Sequence, residues 1–284
     1  MKYTSARAFR QALEERLRQN YPGKQIPRIR KMIAFERLMA RLDDHWILKG
    51  GYAIQLRTLN ARTTQDIDLL AVELSSGEIE KAFGNALDKE LGDYFGFSIV
   101  STGIISAERA FRFQVITRVA GRVFEKFHVD IGYKDPLLHP TDFIQPPNLL
   151  GFAEIESLRI PCYSIYQHIA EKVHAIWQPR QTPSSRVKDL VNLILMASLD
   201  SNLSADTLYA AITSVFQNRG DQAPDTLGSF PTDWEQRYRR LASDVQLQLQ
   251  EFTEGTRLAG RFINPILSKE VVGLSWNPEK WRWE

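Results

Sequence analysis

The sequence has few of the residues that form covalent cross-links or zinc sites. Only one of its 284 residues is a cysteine, Cys162, and its five histidines are scattered along the chain. One cysteine cannot form an internal disulfide, and no Cys/His spacing matches a zinc site. The sequence therefore excludes a disulfide-stabilised miniprotein and a zinc finger, and it favours a reducing compartment.

Long apolar runs are also absent. The longest apolar stretch lies around residues 190–199 and is interrupted by Asn192, while the N-terminal residues contain no hydrophobic signal core. We therefore expect a cytoplasmic protein with no membrane partner. The sequence has no Walker A string, no G-x-S-x-G elbow and no H-E-x-x-H motif, so the common ATPase, hydrolase and metalloprotease classes lack support.

The composition is that of a globular protein, with 43% hydrophobic and 25% charged residues. The net charge of +2 conceals a basic N-terminal segment, because residues 1–45 carry eleven Lys/Arg against five Asp/Glu. This segment favours a polyanionic partner, and the alternative is a solvated helix face. The candidate phosphate contacts are Arg28, Arg30, Lys31, Arg37 and Arg41.

The periodicity of apolar residues predicts an α+β fold. Two helices are expected within residues 1–45, a small mixed sheet within residues 46–147, and a helical domain within residues 148–284. The predicted strands are 46–48, 66–72, 97–100, 110–119 and 123–131. The predicted later helices are 52–59, 77–92, 163–177, 186–198, 205–217 and 232–251. A Pro-rich stretch from His139 to Pro147 marks the predicted boundary of the C-terminal domain.

Two aspartates alternate with apolar residues in the string Asp66-Ile-Asp68-Leu-Leu. Side chains alternate along a strand, so the two carboxylates point to the same face, about 7 Å apart. At an effective dielectric constant of about 20 they repel each other by about 2.4 kcal/mol. A divalent cation would convert this repulsion into attraction, and oxygen ligands suit magnesium, with manganese as an alternative.

Gly50-Gly51 lies between a predicted strand and a predicted helix, and fourteen residues separate Gly51 from Asp66. Glycines at such a turn let backbone N–H groups approach a phosphate near a helix N-terminus. Either pattern alone is also typical of an ordinary turn or a solvated strand end. Their conjunction predicts a site that holds a triphosphate and a metal.

This conjunction resembles the polymerase-beta-like nucleotidyltransferase superfamily. The fuller strings Trp46-Ile-Leu-Lys-Gly-Gly-Tyr-Ala53 and Arg62-Thr-Thr-Gln-Asp-Ile-Asp-Leu69 resemble the AbiEii/AbiGii toxin branch, which includes the MenT toxins that transfer nucleotides to RNA. The resemblance spans about residues 28–198. It implies a nucleotidyltransferase core, an NTP substrate, a cognate antitoxin and an RNA acceptor, most plausibly the 3′ end of tRNA.

The resemblance also implies roles for individual residues. A third carboxylate from a neighbouring strand fits Asp130, as a metal ligand or as a base, and the alternative is that Asp130 caps the turn at Gly132. Lys172 is similar to a triphosphate-binding lysine, with Asp189 positioning Lys172 or Arg186. The implied catalytic residues are Asp66, Asp68, Asp130, Lys172 and Asp189. The implied nucleotide contacts are Lys49, Gly50, Gly51, Arg62, Thr64, Lys172 and Arg186.

The chain departs from the family pattern at Asn192, where an aspartate is usual. This leaves three hypotheses open: transfer of a nucleoside monophosphate to RNA, modification of a partner protein, or binding of a nucleotide without turnover. The tryptophans at 276, 281 and 283 are expected to dock a C-terminal tail on the body, with base stacking as the alternative.

Overall fold

The computed structural model describes residues 1–58, 64–105, 110–178, 186–199, 202–247 and 250–284. The chain divides into two compact units. The first comprises Met1–Leu56, Thr63–Leu137 and Phe143–Cys162, and the second comprises Arg57–Arg62, Leu138–Asp142 and Tyr163–Glu284. The three-part division that the sequence suggested stays a prediction.

The described residues form a mixed α/β structure, which confirms the predicted fold class. The helices are α1 (Ala6–Asn20), α2 (Ile26–Met39), α3 (Gly50–Thr58), α4 (Ser76–Leu87), α5 (Ile165–Trp177), α6 (Val187–Ala197), α7 (Ala205–Asn218), α8 (Glu235–Asp244) and α9 (Phe252–Leu267). The strands are β1 (Trp46–Lys49), β2 (Asp66–Ala71), β3 (Phe95–Ile105), β4 (Ala110–Val119), β5 (Arg122–Gly132), β6 (Asp142–Ile144), β7 (Ile160–Cys162), β8 (Trp276–Asn277) and β9 (Arg282–Trp283). None of the helices in these described ranges is long and apolar enough to cross a membrane.

The N-terminal helices cover part of the sheet in the first unit. Helix α1 begins after Ser5, whose hydroxyl accepts a hydrogen bond from the Ala8 N–H at 3.2 Å. It buries Phe9, Leu13 and Leu17, which recur at helical spacing on one face. The aromatic core continues into the sheet through Phe35, whose ring lies 4.9 Å from that of Phe127 on β5.

A seven-stranded sheet with the order β3-β4-β5-β2-β1-β7-β6 organises the first unit. Strands β1 and β2 are antiparallel, as are β3 and β4, and β4 and β5, whereas β2 and β5 are parallel. Along the central strands one face is apolar and fully buried, with Ile67, Leu69, Val129, Ile131 and Phe113 each at 0% exposure. The polar residues that alternate with them lie on the opposite face.

A β-bulge fixes how β4 and β5 face each other. Thr117 pairs with Glu125, but the next residue, Arg118, pairs with Val123, so the register skips Phe124. The Phe124 side chain is only 4% exposed, and its ring lies 5.6 Å from that of Phe95. Because Phe124 is the extra residue, every pair farther from the hairpin turn is shifted by one position.

Helices α5 to α9 and the short β8–β9 hairpin form the second unit. The single helix expected over residues 232–251 is wrong, because α8 ends at Asp244 and α9 begins at Phe252. The prediction that the tail docks its aromatics is confirmed. The indole N–H groups of Trp276, Trp281 and Trp283 donate to the carbonyl oxygens of Ala197, Leu258 and Phe262.

The predicted basic surface is wrong at two of its five residues. Arg37 and Arg41 are 6% and 2% exposed, and both hydrogen-bond the buried Asp93. Burial raises the pKa of Asp93, but its bonds and charge attraction to Arg41 and Arg37 outweigh this effect and lower the pKa below its usual range. Arg37 on α2 and Arg41 just after it are thus bound to a buried carboxylate, so they are not available to RNA phosphates.

Helix α2 also carries a buried acid, Glu36, which is 2% exposed. Within the described residues, its Oε2 atom has no hydrogen-bond partner. Burial raises the pKa of Glu36 to about 7, against the smaller opposing effect of the Arg37 charge. Since the folded-state pKa of this acid is raised, its ionisation opposes folding, and this penalty grows as the pH rises from about 4.5 to about 7.

We predict that Glu36→Gln gains stability relative to the parent as the pH rises. The difference in the free energy of unfolding should shift in favour of the variant by up to about 3 kcal/mol between pH 5 and pH 8. Urea denaturation at both pH values measures it. The exposed Glu156→Gln serves as the control and should show no such pH-dependent gain. An equal difference at both pH values for Glu36→Gln would show that Glu36 does not titrate in this range.

Candidate active site

A row of four charged residues crosses the polar face of the sheet. Lys49 on β1 pairs in register with Asp68 on β2, Asp68 pairs with Asp130 on β5, and Asp130 pairs with Arg112 on β4. Residues directly opposite each other on neighbouring strands point to the same face. We name these four residues the charged row: two carboxylates in the middle, with one cation at each end.

The two carboxylates in the middle of the charged row belong to strands that run about 4.8 Å apart. Two unit charges at this separation repel by about 0.9 kcal/mol in bulk water and by about 3.5 kcal/mol at an effective dielectric constant of about 20. Both Asp68 and Asp130 are partly buried. The row is therefore stable only because cations accompany the carboxylates.

Glycine at position 50 is required by the position of Asp68. Gly50 has a φ of +66°, and a Cβ added there would lie 2.0 Å from Asp68 Oδ2. The next residue, Gly51, donates its backbone N–H to the same Oδ2 atom at 3.4 Å. Gly50 and Gly51 are the first residues of helix α3 and not the free turn that the sequence predicted. The N-terminus of α3 therefore contacts the carboxylate directly.

The predicted nucleotide contacts around α3 are held by neighbouring side chains. Lys49 Nζ donates to Asp135 Oδ2 at 3.0 Å. The buried Thr64 donates its backbone N–H to Gln55 Oε1 at 3.0 Å, and its Oγ1 would lie 2.9 Å from a Cβ at Gly51. Arg62, the remaining predicted contact of this stretch, lies outside the described residues.

Asp66 lies two residues before Asp68 on β2 and is in register with His128 on β5. The Asp66 side chain is 40% exposed, and its Oδ1 lies 3.6 Å from His128 Nδ1, which is beyond hydrogen-bonding distance. Sequence analysis did not single out His128. Its alternation with Phe127 and Val129 places it on the polar face, but only the register brings it beside Asp66.

Asp130 is bound by an arginine that the sequence analysis also missed. Arg112 Nε and Nη2 donate to Asp130 Oδ1 and Oδ2 at 2.7 and 2.6 Å. These hydrogen bonds to Asp130 raise the pKa of Arg112, as do the charges of Asp130, Asp66 and Asp68, whereas burial lowers it. The guanidinium therefore interacts with all three predicted metal ligands.

The three carboxylates suit a divalent cation by their chemistry, because hard oxygen donors are the ligands of magnesium. Their placement also suits it, since Asp66 and Asp68 share a face and Asp68 is in register with Asp130. Across the part of the chain that the structure describes, however, no three acidic or histidine side chains are grouped closely enough to hold a metal. Both oxygens of Asp130 are bound to Arg112 instead.

The other predicted site residues form a second group, within the second unit. The Asp189 carboxylate on α6 is 1% exposed, and its Oδ1 lies 2.9 Å from Lys172 Nζ on α5. Its Oδ2 accepts a hydrogen bond from Arg186 Nη1 at 3.2 Å. Asp189 thus contacts both residues that it was expected to position, although the role in binding phosphates stays a prediction. Glu171, beside Lys172 in the sequence, pairs with Arg219.

The comparison with family models decides the family. The model described as "Nucleotidyl transferase AbiEii toxin, Type IV TA system" matches residues 35–258. The chain belongs to the AbiEii family of nucleotidyltransferase toxins. It is therefore an enzyme of the nucleotidyltransferase class, as the sequence resemblance predicted.

A solved structure shows the same fold at low sequence identity. MenT4, a nucleotidyltransferase toxin from Mycobacterium tuberculosis H37Rv, is 15% identical with a TM-score of 0.51, over 95% of this chain and 100% of that chain. JHP933 from Helicobacter pylori is 16% identical with a TM-score of 0.49, over 88% of this chain and 96% of that chain. The search of curated proteins by sequence gives no match.

We predict that Gly50→Ala lowers nucleotidyl transfer by about a hundredfold, because the added methyl displaces the Asp68 carboxylate by an ångström or more. Gly92→Ala is the matched control. Gly92 has the same φ of +66°, but a Cβ there meets nothing within 4 Å. Both variants carry the backbone strain of a left-handed alanine, about 1 kcal/mol, so only Gly50→Ala should lose activity. Equal activity losses in both variants would attribute the effect to strain and not to Asp68.

Proposed function

We propose that this AbiEii-family toxin transfers a nucleoside monophosphate from an NTP to the 3′ end of tRNA. The acceptor hydroxyl attacks the α-phosphorus, the bond from that phosphorus to the bridging oxygen breaks, and pyrophosphate leaves. A tRNA whose 3′ end is blocked cannot be charged, so translation and growth stop. Membership of a type IV toxin–antitoxin family further implies a cognate antitoxin that relieves this toxicity.

The observation that carries the proposal is the juxtaposition of Asp66, Asp68 and Asp130 on the polar face of one sheet, with the α3 N-terminus against Asp68. We propose that these three aspartates hold Mg²⁺, or Mn²⁺ in its place. When bound, the ion would polarise the phosphate and neutralise charge on the leaving pyrophosphate. Gly50 keeps a side chain away from the Asp68 carboxylate and Gly51 keeps one away from Thr64, so that a triphosphate has room.

The remaining residues act on the triphosphate and on the proton. Lys172 is a compact positive charge that suits a phosphate group. Asp189 fixes that charge, because it is buried and binds both Lys172 and Arg186. We name Asp66, Asp68 and Asp130 the acidic edge. The proton of the acceptor hydroxyl passes to one of these carboxylates, and Asp130 is the residue that we assign as base.

The choice of RNA as acceptor rests on the family, whose MenT members transfer nucleotides to RNA, and on one contact of the chain. Lys31 on helix α2 donates to Gln65 Oε1, immediately before Asp66. This places a cation beside the proposed metal ligands, where an RNA phosphate would be attracted to it. The basic segment contributes less than its composition suggested, because Arg37 and Arg41 are buried and Arg30 is paired with Glu14.

The test incubates the protein with each α-labelled NTP, Mg²⁺ or Mn²⁺, and either deproteinised tRNA or total protein. We expect label in tRNA, at a nucleotide that a 3′ exonuclease removes first. Periodate oxidation of the tRNA 3′ end beforehand should abolish labelling. Label that appears only in a ribonuclease-resistant protein band would replace the tRNA acceptor by a protein, and no label with any acceptor would favour a nucleotide-binding protein without turnover.

We predict that Asp68→Asn lowers transfer by about a thousandfold while the protein stays folded. The amide keeps the side-chain volume but removes a ligand charge that contributes several kcal/mol to transition-state stabilisation. Asp44→Asn, an exposed aspartate just before β1, is the control and should keep full activity. Transfer at the parental rate by Asp68→Asn would refute the metal site.

We predict that Lys172→Ala raises the KM for NTP at least tenfold and that Lys172→Arg restores little of the loss. A planar guanidinium does not replace a compact ammonium that Asp189 holds at 2.9 Å. Steady-state kinetics over a range of NTP concentrations measure the effect. Lys188→Ala, at an exposed position of α6, should leave the KM unchanged. An unchanged KM in Lys172→Ala would show that Lys172 does not bind the NTP and has a purely structural role.

A further inference from the structure

Arg112 lies at the end of the charged row, beside Asp130. Two N–H groups of its guanidinium bind that carboxylate. The two hydrogen bonds to Asp130, at 2.7 and 2.6 Å, use both oxygens of the carboxylate. A fork-to-fork pair of this kind is the strongest geometry that an arginine and a carboxylate can form. The Asp130 oxygens in this arrangement face Arg112 and not a ligand shared with Asp66 and Asp68.

We propose that Arg112 is the resident counter-ion of the acidic edge, which competes with the divalent cation for Asp130 and so sets the affinity of the site for metal. The inference rests on the proposed function, because it takes Asp66, Asp68 and Asp130 as the metal ligands. Arg112 holds the third carboxylate and neutralises part of the acidic charge. Metal binding requires that this pair open.

The exchange of Arg112 for a metal ion at Asp130 requires only side-chain movement. Arg112 lies directly opposite Asp130 on the neighbouring strand, so the pair forms without a change in the backbone. The Arg112 side chain is 43% exposed, whereas Asp130 is 17% exposed. The arginine can therefore rotate into solvent, while the aspartate remains on the polar face of the sheet. A simple rotation of one side chain is sufficient to release the carboxylate.

A merely structural ion pair would behave differently. Exposed cross-strand pairs contribute little to stability, and loss of the pair would leave metal affinity unchanged. A competing counter-ion has the opposite signature, because its removal takes one positive charge away from the carboxylates and so strengthens their attraction for a cation. The affinity for metal, measured without nucleotide, separates the two roles.

The experiment titrates the full-length protein with Mn²⁺ in the absence of NTP and detects free Mn²⁺ by electron paramagnetic resonance. We expect Arg112→Gln to bind Mn²⁺ about tenfold more tightly than the parent, and Arg112→Lys, which keeps the charge but loses the fork, to lie between them. Arg118→Gln is the matched control, since Arg118 is on the same strand but donates to Ser98 at 2.9 Å. It should bind Mn²⁺ like the parent.

A second measurement covers the case in which Arg112→Gln folds poorly. The rise in Tm caused by Mn²⁺ should be larger for Arg112→Lys and Arg112→Gln than for the parent, because a ligand that binds the folded state more tightly stabilises it more. Equal or weaker Mn²⁺ affinity in both Arg112 variants would overturn the inference.

The failure of this inference can be told apart from the failure of the proposed function. If Asp68→Asn weakens Mn²⁺ binding and the Arg112 variants do not change it, the proposed metal site is supported. Only the proposal that Arg112 competes with the metal is then wrong. If Asp68→Asn has no effect on Mn²⁺ binding, with or without Arg112→Gln, the metal site itself is wrong and both proposals fall.

Discussion

Carboxylates on adjacent strands of one sheet repel each other, and positive charge placed close to them offsets that repulsion. In this protein Asp68 and Asp130 are in register on β2 and β5, and the sheet places a cation at each end of their row. Lys49 is held by Asp135, and Arg112 binds Asp130.

The position of the acidic edge depends on the chain around Gly50. The α3 helix begins directly after β1, and its first residue contacts Asp68 so closely that no side chain fits. A fold match at 15% identity shows how little of the sequence must be retained for the fold itself.

Local sequence was sufficient to predict β2, the shared face of Asp66 and Asp68, and the family, because each depends on neighbouring residues. It did not predict the pairing of Arg112 with Asp130, since counting back from the hairpin turn would place Arg112 opposite Val129, and only the bulge at Phe124 corrects this. The basic composition of the N-terminal segment also suggested an exposed surface that is partly absent. Arg37 and Arg41 are instead buried, because they bind Asp93, which lies more than fifty positions later in the sequence.

The bulge at Phe124 has a consequence for how this hairpin can evolve. A slip of one residue would turn Arg112 toward the apolar face and carry Phe113 to the polar one. Substitutions along β4 and β5 change one side chain at a time, whereas an insertion or deletion between Phe124 and Asp130 exchanges the two faces of β5 at once. The hairpin therefore tolerates substitutions but not insertions or deletions, because the bulge at the buried Phe124 sets the register that places Asp130 on the polar face.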